Sequence, residues 1–518
     1  MSAHGFLRGL LGTTRSETHE GRFGRMFRGL KPASYGSTDV INTDNLMALG
    51  NAMKAKFDGK KDGNDGEESG IPSLYTYFGQ FIDHDLTFGP EGSFQKVKDV
   101  DALVDFRTPA FDLDCVYGRG PGDQPYMYKN DGKSFLQGTK LTGGSADNAF
   151  DLTRNTADPA RALIGDPRND ENTIVSQLQG LFQSFHNRLI EDERMEFEEA
   201  QRELQRHYQY VIVNDFLPRI ISADVLNDLR SDNGQFKKSK LEFFHYRNTP
   251  FMPVEFATAT YRFGHSMIRP GYRLNDNHLL DIFSQKKEDD LRGKYAMETT
   301  RGMDWGRMID IDVRAYDGAV SSPERFKRLQ FAYRIDTSLV DPLAKLPPNV
   351  VGNPPISLAQ RNLLRSIDMS LPTGQDVARA MGLEPMDDDE IIIQKAVDKD
   401  DIDPEDPVTP ILKVASGAFK GKCPLWTYVL AEAAAHQIPV VIPVTLPASG
   451  EVIRINTPQL GPVGGRIVAE VFLGLMFGDP TSMLSTNPSW TPAGGADYTL
   501  KDFVAYATRR PVVKAAGA

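Results

Sequence analysis

The chain has 518 residues, of which 40% are hydrophobic and 25% are charged, and this is typical of a globular protein with one large domain or two to three ordinary ones. The net charge of −11 argues against a nucleic acid or an anionic membrane as the main partner. The only cysteines are Cys115 and Cys423, which excludes a disulfide framework and a clustered cysteine metal site.

Residues 1–70 are predicted to form an N-terminal arm and a flexible connector. The apolar run Phe6–Leu11 is too short and too polar for a secretory signal, so we expect a cytoplasmic protein or one secreted without a conventional signal peptide. Thr43–Phe57 predicts one amphipathic helix, and the charged, turn-rich stretch Gly59–Gly70 predicts an exposed connector. No part of the chain reaches the ~18 apolar residues of a membrane-spanning helix.

Ser73–Pro90 predicts a short helix with polar residues in apolar surroundings, where charges are costly unless they are paired or bind a metal. On a helix, Gln80 and His84 share a face and Asp83 lies beside Gln80, whereas Asp85 points about 100° further round. Two interpretations stay open from this stretch alone. Either His84 and Gln80 face a functional cavity while Asp85 serves another site, or His84 is a structural residue satisfied by the neighbouring carboxylates.

The next segment, Phe106–Gly118, has oxygen donors at every second residue, in the way that loops wrap a calcium ion. These positions are Thr108, Ala110 (through its carbonyl), Asp112 and Asp114. Asp85, which looks away from His84, is the candidate for a further ligand. The alternative is a half-buried strand with an exposed acidic face, and spacing alone favours it.

Two helices are predicted after Gly165–Glu171. In the first, apolar residues recur at steps of three and four from Ile174 to Leu189, and the second covers about Glu198–Phe216. Arg168 and Glu171 lie at the start of the first helix. Because a cation is electrostatically misplaced at a helix N-terminus, Arg168 serves either another site or a surface ion pair.

Thr258–Pro270 places His265 in an apolar, helix-like segment. A single His of this kind is usually a satisfied core residue, but His84 and His265 together could sandwich a flat cofactor. Further on, Arg361–Pro372 carries Asn362 and Arg365 among leucines.

The rest of the chain favours helices over strands. Residues 386–407 read as an acidic surface insertion. Leu425–Ala435 and Gly461–Pro480 predict helices, and Ile438–Leu446 predicts a short strand. We therefore predict a mainly α protein with a single large helical domain at residues 71–485 and very little β-structure, followed by a C-terminal tail at residues 486–518.

Five of these segments, in the same order, resemble motifs of the animal-type haem peroxidases, the peroxidase–cyclooxygenase superfamily that includes myeloperoxidase and lactoperoxidase. FGQFIDHDLTF resembles the distal-helix motif, TPAFDLDCVYG the calcium loop and GDPRNDE the catalytic-arginine segment. YRFGHSMIRP resembles the proximal-histidine helix, and RNLLRSIDMSLP the proximal asparagine–arginine segment. With few cysteines and no evident signal, the chain is similar to bacterial-type members.

The resemblance assigns a role to each candidate residue. It implies catalytic roles for His84 as distal base, Arg168 as distal arginine and Gln80 as a ligand for water or halide. It implies contacts with haem b through His265 as iron ligand, Asn362 as the acceptor of its Nδ1 proton, Arg365 at a propionate, and Asp83 and Glu171 as ester links. It also implies a calcium site formed by Asp85, Thr108, Ala110, Asp112 and Asp114.

The implied reaction reduces hydrogen peroxide via a ferryl intermediate and oxidises halides, thiocyanate or small phenolic donors. Asn172 stands where myeloperoxidase has a methionine linked to haem, so no sulfonium link is expected. The radical tyrosine of fatty-acid dioxygenases lies three residues before the proximal histidine, and here that residue is Arg262, although Tyr261 is adjacent. The alternatives are therefore a fatty-acid dioxygenase of the same superfamily and a non-catalytic haem-binding protein.

Overall fold

The computed structural model describes residues 21–55, 58, 66–87, 104–105, 109–144, 149–247, 249–312, 314, 327–396, 408–443 and 452–510. Helices dominate this part of the chain, which confirms the mainly α prediction. The α-helices are α1 Asp39–Ala52, α2 Leu74–Leu86, α3 Asp114–Tyr117, α4 Thr173–Asp192, α5 Phe197–Val211, α6 Leu217–Ile220, α7 Ala223–Asp228, α8 Val254–Thr258, α9 Asp341–Ala344, α10 Leu358–Asp368, α11 Gly374–Ala380, α12 Leu425–Ala435, α13 Pro462–Gly478, α14 Met483–Thr486 and α15 Leu500–Thr508.

The strands are short and pair in small groups. They are β1 Gly21–Gly24, β2 Glu68–Pro72, β3 Val104–Asp105, β4 Met252–Pro253, β5 Gly271–Arg273, β6 Leu279–Asp281, β7 Phe331–Tyr333, β8 Ile392–Ile393, β9 Thr409–Pro410, β10 Gln437–Val441 and β11 Arg454–Pro458. β1 lies between antiparallel β3 and parallel β4. The other strands form the antiparallel pairs β2–β7, β5–β6, β8–β9 and β10–β11.

Helix α2 runs through the interior of the molecule. Its residues are apolar on nearly every side, as expected of a helix that is surrounded by protein, and most of them are buried. Gly79, Gln80 and Asp83 are its only half-buried residues. Because these three positions follow one another along one side of the helix, that side, called the cleft side, is less covered by protein than the others.

Helix α4 packs against α2 and fixes its position. Asn172 caps the helix by accepting from the amides of Ile174 at 3.1 Å and Val175 at 2.9 Å. The rings of Phe81 on α2 and Phe182 on α4 are stacked, with their centroids 4.4 Å apart. The ring of Phe182 also contacts Phe503 of α15, with the centroids 4.7 Å apart, so the predicted C-terminal tail contains a helix that packs against α4.

The described part of the predicted arm packs into the same core as the helices. Phe23, Phe27, Leu46 and Leu49 are all buried there. Strand β2, at the end of the predicted connector, is buried rather than exposed, because it pairs with β7. Residues 59–65 lie outside the described residues, and the domain boundaries near residues 70 and 485 stay predictions.

A buried ion cluster joins β2, which leads into α2, to the turn that follows His265. Both carboxylate oxygens of Glu68 accept from Arg328, at 2.9 and 2.6 Å, and one also accepts from Arg269 at 2.6 Å. All three side chains are almost fully buried. Two sides of the cleft are thereby linked through charged hydrogen bonds.

Other differences from the sequence predictions are local. Helix α1 begins at Asp39 because the side chain of Thr38 caps it. The second helix after Arg168 changes to a π-helical turn at Ile212–Phe216. Within the predicted acidic insertion, Ile392–Ile393 pairs with β9, and residues 397–407 lie outside the described residues. In the described ranges, no helix is both long enough and apolar enough to cross a membrane.

Candidate active site

His84 lies near the end of α2 with its two ring nitrogens in different environments. Its Nδ1 is 2.7 Å from Oδ1 of Asn169, and its Nε2 is 3.7 Å from Oε1 of Glu171 on the cleft side. Burial and the nearby charge of Arg168 lower the pKa of His84 below its ordinary value. The ring is therefore neutral at pH 7 and has one nitrogen available as a base.

Arg168 lies on the 3-10 helix Pro167–Asp170, which directly precedes Glu171. Its Nη2 donates to Asp166 at 2.7 Å, to the carbonyl of His84 at 3.0 Å and to the carbonyl of Thr87. The last two acceptors lie at the C-terminal end of α2, where a cation is favourable. The arginine that is misplaced at its own helix start therefore serves the end of the helix that carries His84.

Gln80 connects the cleft face of α2 to the segment after Arg168. Its Nε2 donates to Glu171, and its Oε1 accepts from Nδ2 of Asn172 at 3.3 Å. The structure thus brings Gln80, His84, Arg168 and Glu171 together, with the amide group of Gln80 bonded to Glu171 and Asn172, and the catalytic roles of these residues stay predictions.

His265 ends the 3-10 helix Thr260–His265 rather than lying within an α-helix. Burial, together with the charges of Arg262 and Arg365, lowers its pKa to about 3, which leaves the neutral imidazole that metals bind. Asn362 contacts its Nδ1 at 2.8 Å, but through the amide nitrogen, because Arg365 donates to the amide oxygen at 3.3 Å. Acceptance of an Nδ1 proton by Asn362 requires a half-turn of this amide.

Asp83 lies between the two histidines. Its carboxylate is 3.7 Å from Nη1 of Arg262, and the two side chains are 16% and 23% exposed. Burial alone would raise the pKa of Asp83, but the charges of Arg262 and Arg168 lower it. A group that is accessible and yet strongly desolvated faces an internal cleft.

The proximal side of the cleft carries an excess of positive charge. Burial and the neighbouring Arg262 and Arg361 lower the pKa of Arg365 to about 9. A desolvated group of cations fits anionic substituents such as the propionates of haem. With neutral His265 below and the accessible side of α2 above, the residues present fit a flat, acidic cofactor.

A second cluster lies behind α2. Carboxylate oxygens of Asp85, Asp112 and Asp114 are all within 4.8 Å of one another. The turn that brings them together uses a left-handed backbone at Leu113, with φ of 59°, and the amide of Leu113 donates to Asp85 at 3.3 Å. Burial and the two neighbouring carboxylates raise the pKa of Asp112 well above its ordinary value. This donor set fits a hard divalent cation, with the carbonyl of buried Ala110 on the same turn.

Thr108, the remaining predicted calcium ligand, lies outside the described residues. No role was predicted for Asp166, Asn169 or Gln179. Asp166 accepts from Arg168, Asn169 contacts Nδ1 of His84, and Gln179 accepts from Asn169. Asp166 and Asn169 belong to the GDPRNDE segment, so a polar residue on each side of the arginine was the available signal. Nothing in the pattern of α4 distinguishes Gln179.

Tyr261 is buried beside the cleft. Its ring stacks on Phe256 at 4.8 Å, and its hydroxyl donates to the carbonyl of Gly79 at 3.1 Å. The hydroxyl is thus committed to the backbone of α2, and the position three residues before His265 is occupied by Arg262.

Comparison with known proteins shows which family and which folds the chain is similar to. The model of the family described as "Animal haem peroxidase" matches residues 103–403. A peroxidase-like protein of Margaritifera margaritifera is 23% identical over 256 residues, a match covering 38% of this chain and only 31% of that protein.

Solved structures share the fold. Peroxidase A of Dictyostelium discoideum is 14% identical with a TM-score of 0.55, and the match covers 97% of each chain. Fatty acid alpha-dioxygenase of Arabidopsis thaliana is 16% identical with a TM-score of 0.53, covering 94% of this chain and 77% of that one. The Oryza sativa enzyme is 17% identical with a TM-score of 0.51, covering 93% and 81%. The family match spans more than half of the sequence, and the chain belongs to the animal haem peroxidase family.

Proposed function

We propose that the protein is a haem-dependent peroxidase that reduces hydrogen peroxide and oxidises halides, thiocyanate or small phenolic donors. The main support is the position of His84, a neutral and buried histidine whose Nε2 is directed to the cleft side. Arg168 donates a hydrogen bond to the backbone carbonyl of this histidine. A protein that only binds haem needs His265 and has no use for this pair.

Bound haem would supply the iron at which the peroxide O–O bond is broken. His84 Nε2 would take the proton from one peroxide oxygen and return it to the departing oxygen, as a general base and then a general acid. Arg168, whose charge is near enough to lower the pKa of His84, would favour negative charge that develops on the departing oxygen. Asp166 and the two carbonyls fix the guanidinium in this position.

On the proximal side, His265 would hold the iron through Nε2. This requires a proton on Nδ1, and Asn362 would accept it once its amide has turned so that Oδ1 faces the ring. Such an outer partner fixes the ring orientation and increases the electron-donating power of the ligand. Arg365 and Arg262 would bind the propionates.

We also propose ester links from Asp83 and Glu171 to haem. The proposal is supported by the Glu171 carboxylate, which is 3.7 Å from Nε2 of His84, and by the half-buried Asp83, which directly precedes His84 on α2. Acid–acetone extraction after peroxide treatment, followed by mass spectrometry, tests the links. Haem should stay with the wild-type protein and leave the double variant Asp83→Val, Glu171→Gln, and Asn172 should give no sulfonium-linked species. Complete extraction from the peroxide-treated wild type would exclude both links.

A calcium ion at Asp85, Asp112, Asp114, Ala110 and Thr108 is part of the proposal. Asp85 directly follows His84 in α2, so the ion would hold the end of the helix that carries the base. Asp85→Ala is expected to lower peroxidase activity and haem retention together, and elemental analysis should find calcium in the wild type. A wild type without calcium and a variant with normal activity would contradict this.

The alternative is a fatty-acid dioxygenase, favoured by the shared fold of the plant enzymes. Tyr261 weighs against it, because its hydroxyl is bonded to Gly79 and three ring contacts hold it in the core. Purified holoprotein with a Soret band should oxidise guaiacol or bromide only when peroxide is present. Oxygen consumption with a fatty acid that is lost in Tyr261→Phe, together with no response to peroxide, would instead establish the dioxygenase. A Soret band with neither activity would leave a haem-binding protein.

A further inference from the structure

The 3-10 helix Pro167–Asp170 holds His84 at two points. Arg168 donates to its backbone carbonyl at 3.0 Å, and Oδ1 of the next residue, Asn169, lies 2.7 Å from its Nδ1. A third residue continues the chain, because Nδ2 of Asn169 donates to Oε1 of Gln179 on α4 at 2.8 Å. Asn169 and Gln179 have no role in the proposed chemistry described above.

This chain of hydrogen bonds determines where the proton of neutral His84 resides. Asn169 uses its amide nitrogen on Gln179, so only its oxygen faces the ring, and an oxygen can only accept there. The Nδ1 atom of His84 must therefore carry the hydrogen. Nε2, on the cleft side, is left with the lone pair that a base requires.

The burial of the side-chain amides of Asn169 and Gln179 costs stability wherever a polar atom has no hydrogen-bond partner. The side chains of Asn169 and Gln179 are fully buried, and Nε2 of Gln179 makes no hydrogen bond within the described ranges. An apolar residue of the same size would avoid the cost of the unsatisfied donor. The contribution of Gln179 is its oxygen Oε1, which accepts from the amide nitrogen of Asn169 and so orients that amide. The stacked rings of Phe81 and Phe182 lie three residues from His84 and from Gln179 and hold the two helices together.

We propose that Asn169 and Gln179 are positioning residues, which hold His84 as the Nδ1–H tautomer with its Nε2 lone pair directed into the cleft. The inference rests on the proposed peroxidase function and assigns two further residues to its distal base. Neither residue touches a substrate, and both act through His84.

The first test compares matched variants of the holoprotein by stopped-flow spectroscopy at the Soret band. Hydrogen peroxide is one probe, and hydrogen cyanide, which must give up its proton to a base when it binds ferric iron, is the other. Asn169→Leu is expected to slow both reactions about 10–100-fold, the usual cost of losing an outer partner. Asn169→Asp, which keeps an acceptor for Nδ1–H, should restore most of both rates.

Gln179 provides a second, independent pair. Gln179→Leu frees the Asn169 amide to turn and should slow both reactions, whereas Gln179→Glu keeps the acceptor and should not. Asn187→Leu is the control, because Asn187 is a buried asparagine of the same helix, bonded only to the backbone of Phe135 in the described ranges. It should lower stability and leave both rates unchanged.

The second test observes the tautomer directly. In the full chain loaded with diamagnetic zinc protoporphyrin and labelled with ¹⁵N-histidine, long-range ¹H–¹⁵N correlation should show the proton of His84 on Nδ1. A proton on Nε2 would mean that the side-chain amides of Asn169 and Gln179 are both rotated by 180°. That result overturns the proposal even if Asn169→Leu does not fold. Wild-type rates in Asn169→Leu and Gln179→Leu would overturn it too. A wild type that binds cyanide but ignores peroxide would refute the peroxidase function and leave the tautomer to be decided by cyanide and NMR.

Discussion

The cluster behind α2 leads to a prediction with opposite signs in the presence and absence of calcium. Oxygens of Asp85, Asp112 and Asp114 lie within 4.8 Å of one another, so at an effective dielectric constant of about 20 each charged pair repels by about 3.5 kcal/mol. Three pairs give about 10 kcal/mol as an upper bound, since solvent screens the partly exposed Asp112 and Asp114. The raised pKa of Asp112 lowers the figure further, because a proton taken up by Asp112 relieves part of the repulsion. Asp112→Asn removes two of the three pairs. Without calcium the variant should therefore be more stable than the wild type.

With calcium the order should reverse. An ion at 100 times its dissociation constant stabilises a protein by about 2.7 kcal/mol, and the variant lacks one of the ligands on which that affinity depends. The assay is the thermal unfolding midpoint in EGTA and in excess calcium chloride, for wild type, Asp112→Asn and the exposed control Asp224→Asn. If the wild type, shown by elemental analysis to be metal-free, melts at the same temperature with and without calcium, the three carboxylates do not form the site.

Three further predictions concern other parts of the molecule. Glu68→Gln removes the charge that faces Arg269 and Arg328 and should destabilise the protein by about 3–5 kcal/mol. It should also speed the transfer of haem to apomyoglobin, and an unchanged transfer rate would show that the ion cluster does not affect haem retention. Burial raises the pKa of Asp336 to about 7 from 3.8, so the folded state binds its proton more tightly than the unfolded state. The free energy of unfolding should therefore fall as pH rises from about 4 through 7, by about 4 kcal/mol at most. In Asp336→Asn the urea-unfolding midpoint should depend less on pH across that range, and an unaltered pH dependence would contradict the assignment. Phe81→Ala should cost about 3–5 kcal/mol in urea unfolding and slow the peroxide reaction as well, whereas a loss of stability with an unchanged rate would show that the ring does not position the base.

The sequence predicted those features that depend on local pattern. The helical period of α4 and the apolar run of α13 gave helices close to the observed ones, at Thr173–Asp192 and Pro462–Gly478. Motif residues such as His84 and His265 could be singled out because each lies in a short segment with a characteristic neighbourhood, and the prediction that the two enclose one flat cofactor stays a prediction.

Features that depend on contacts between distant segments could not be predicted. Glu68 stands at the end of a charged, glycine-rich stretch and reads as exposed, yet Arg269 and Arg328 bury it. Gln179 looks like any polar residue of a helix until the turn at Asn169 is folded against it. The orientation of Asn362 is set by Arg365 on the next turn of α10, a competition between two donors that spacing does not reveal.

The turn that holds His84 is continuous with one of the proposed points of haem attachment. Glu171 ends the 3-10 helix that carries Arg168 and Asn169, and Asn172 begins α4 directly afterwards. An ester bond formed at Glu171 during turnover would therefore anchor the whole support of the base to the cofactor. Under that proposal the first turnovers of each molecule fix the geometry in which all later turnovers take place. Freshly made protein should therefore be a mixture of linked and unlinked molecules that differ in rate.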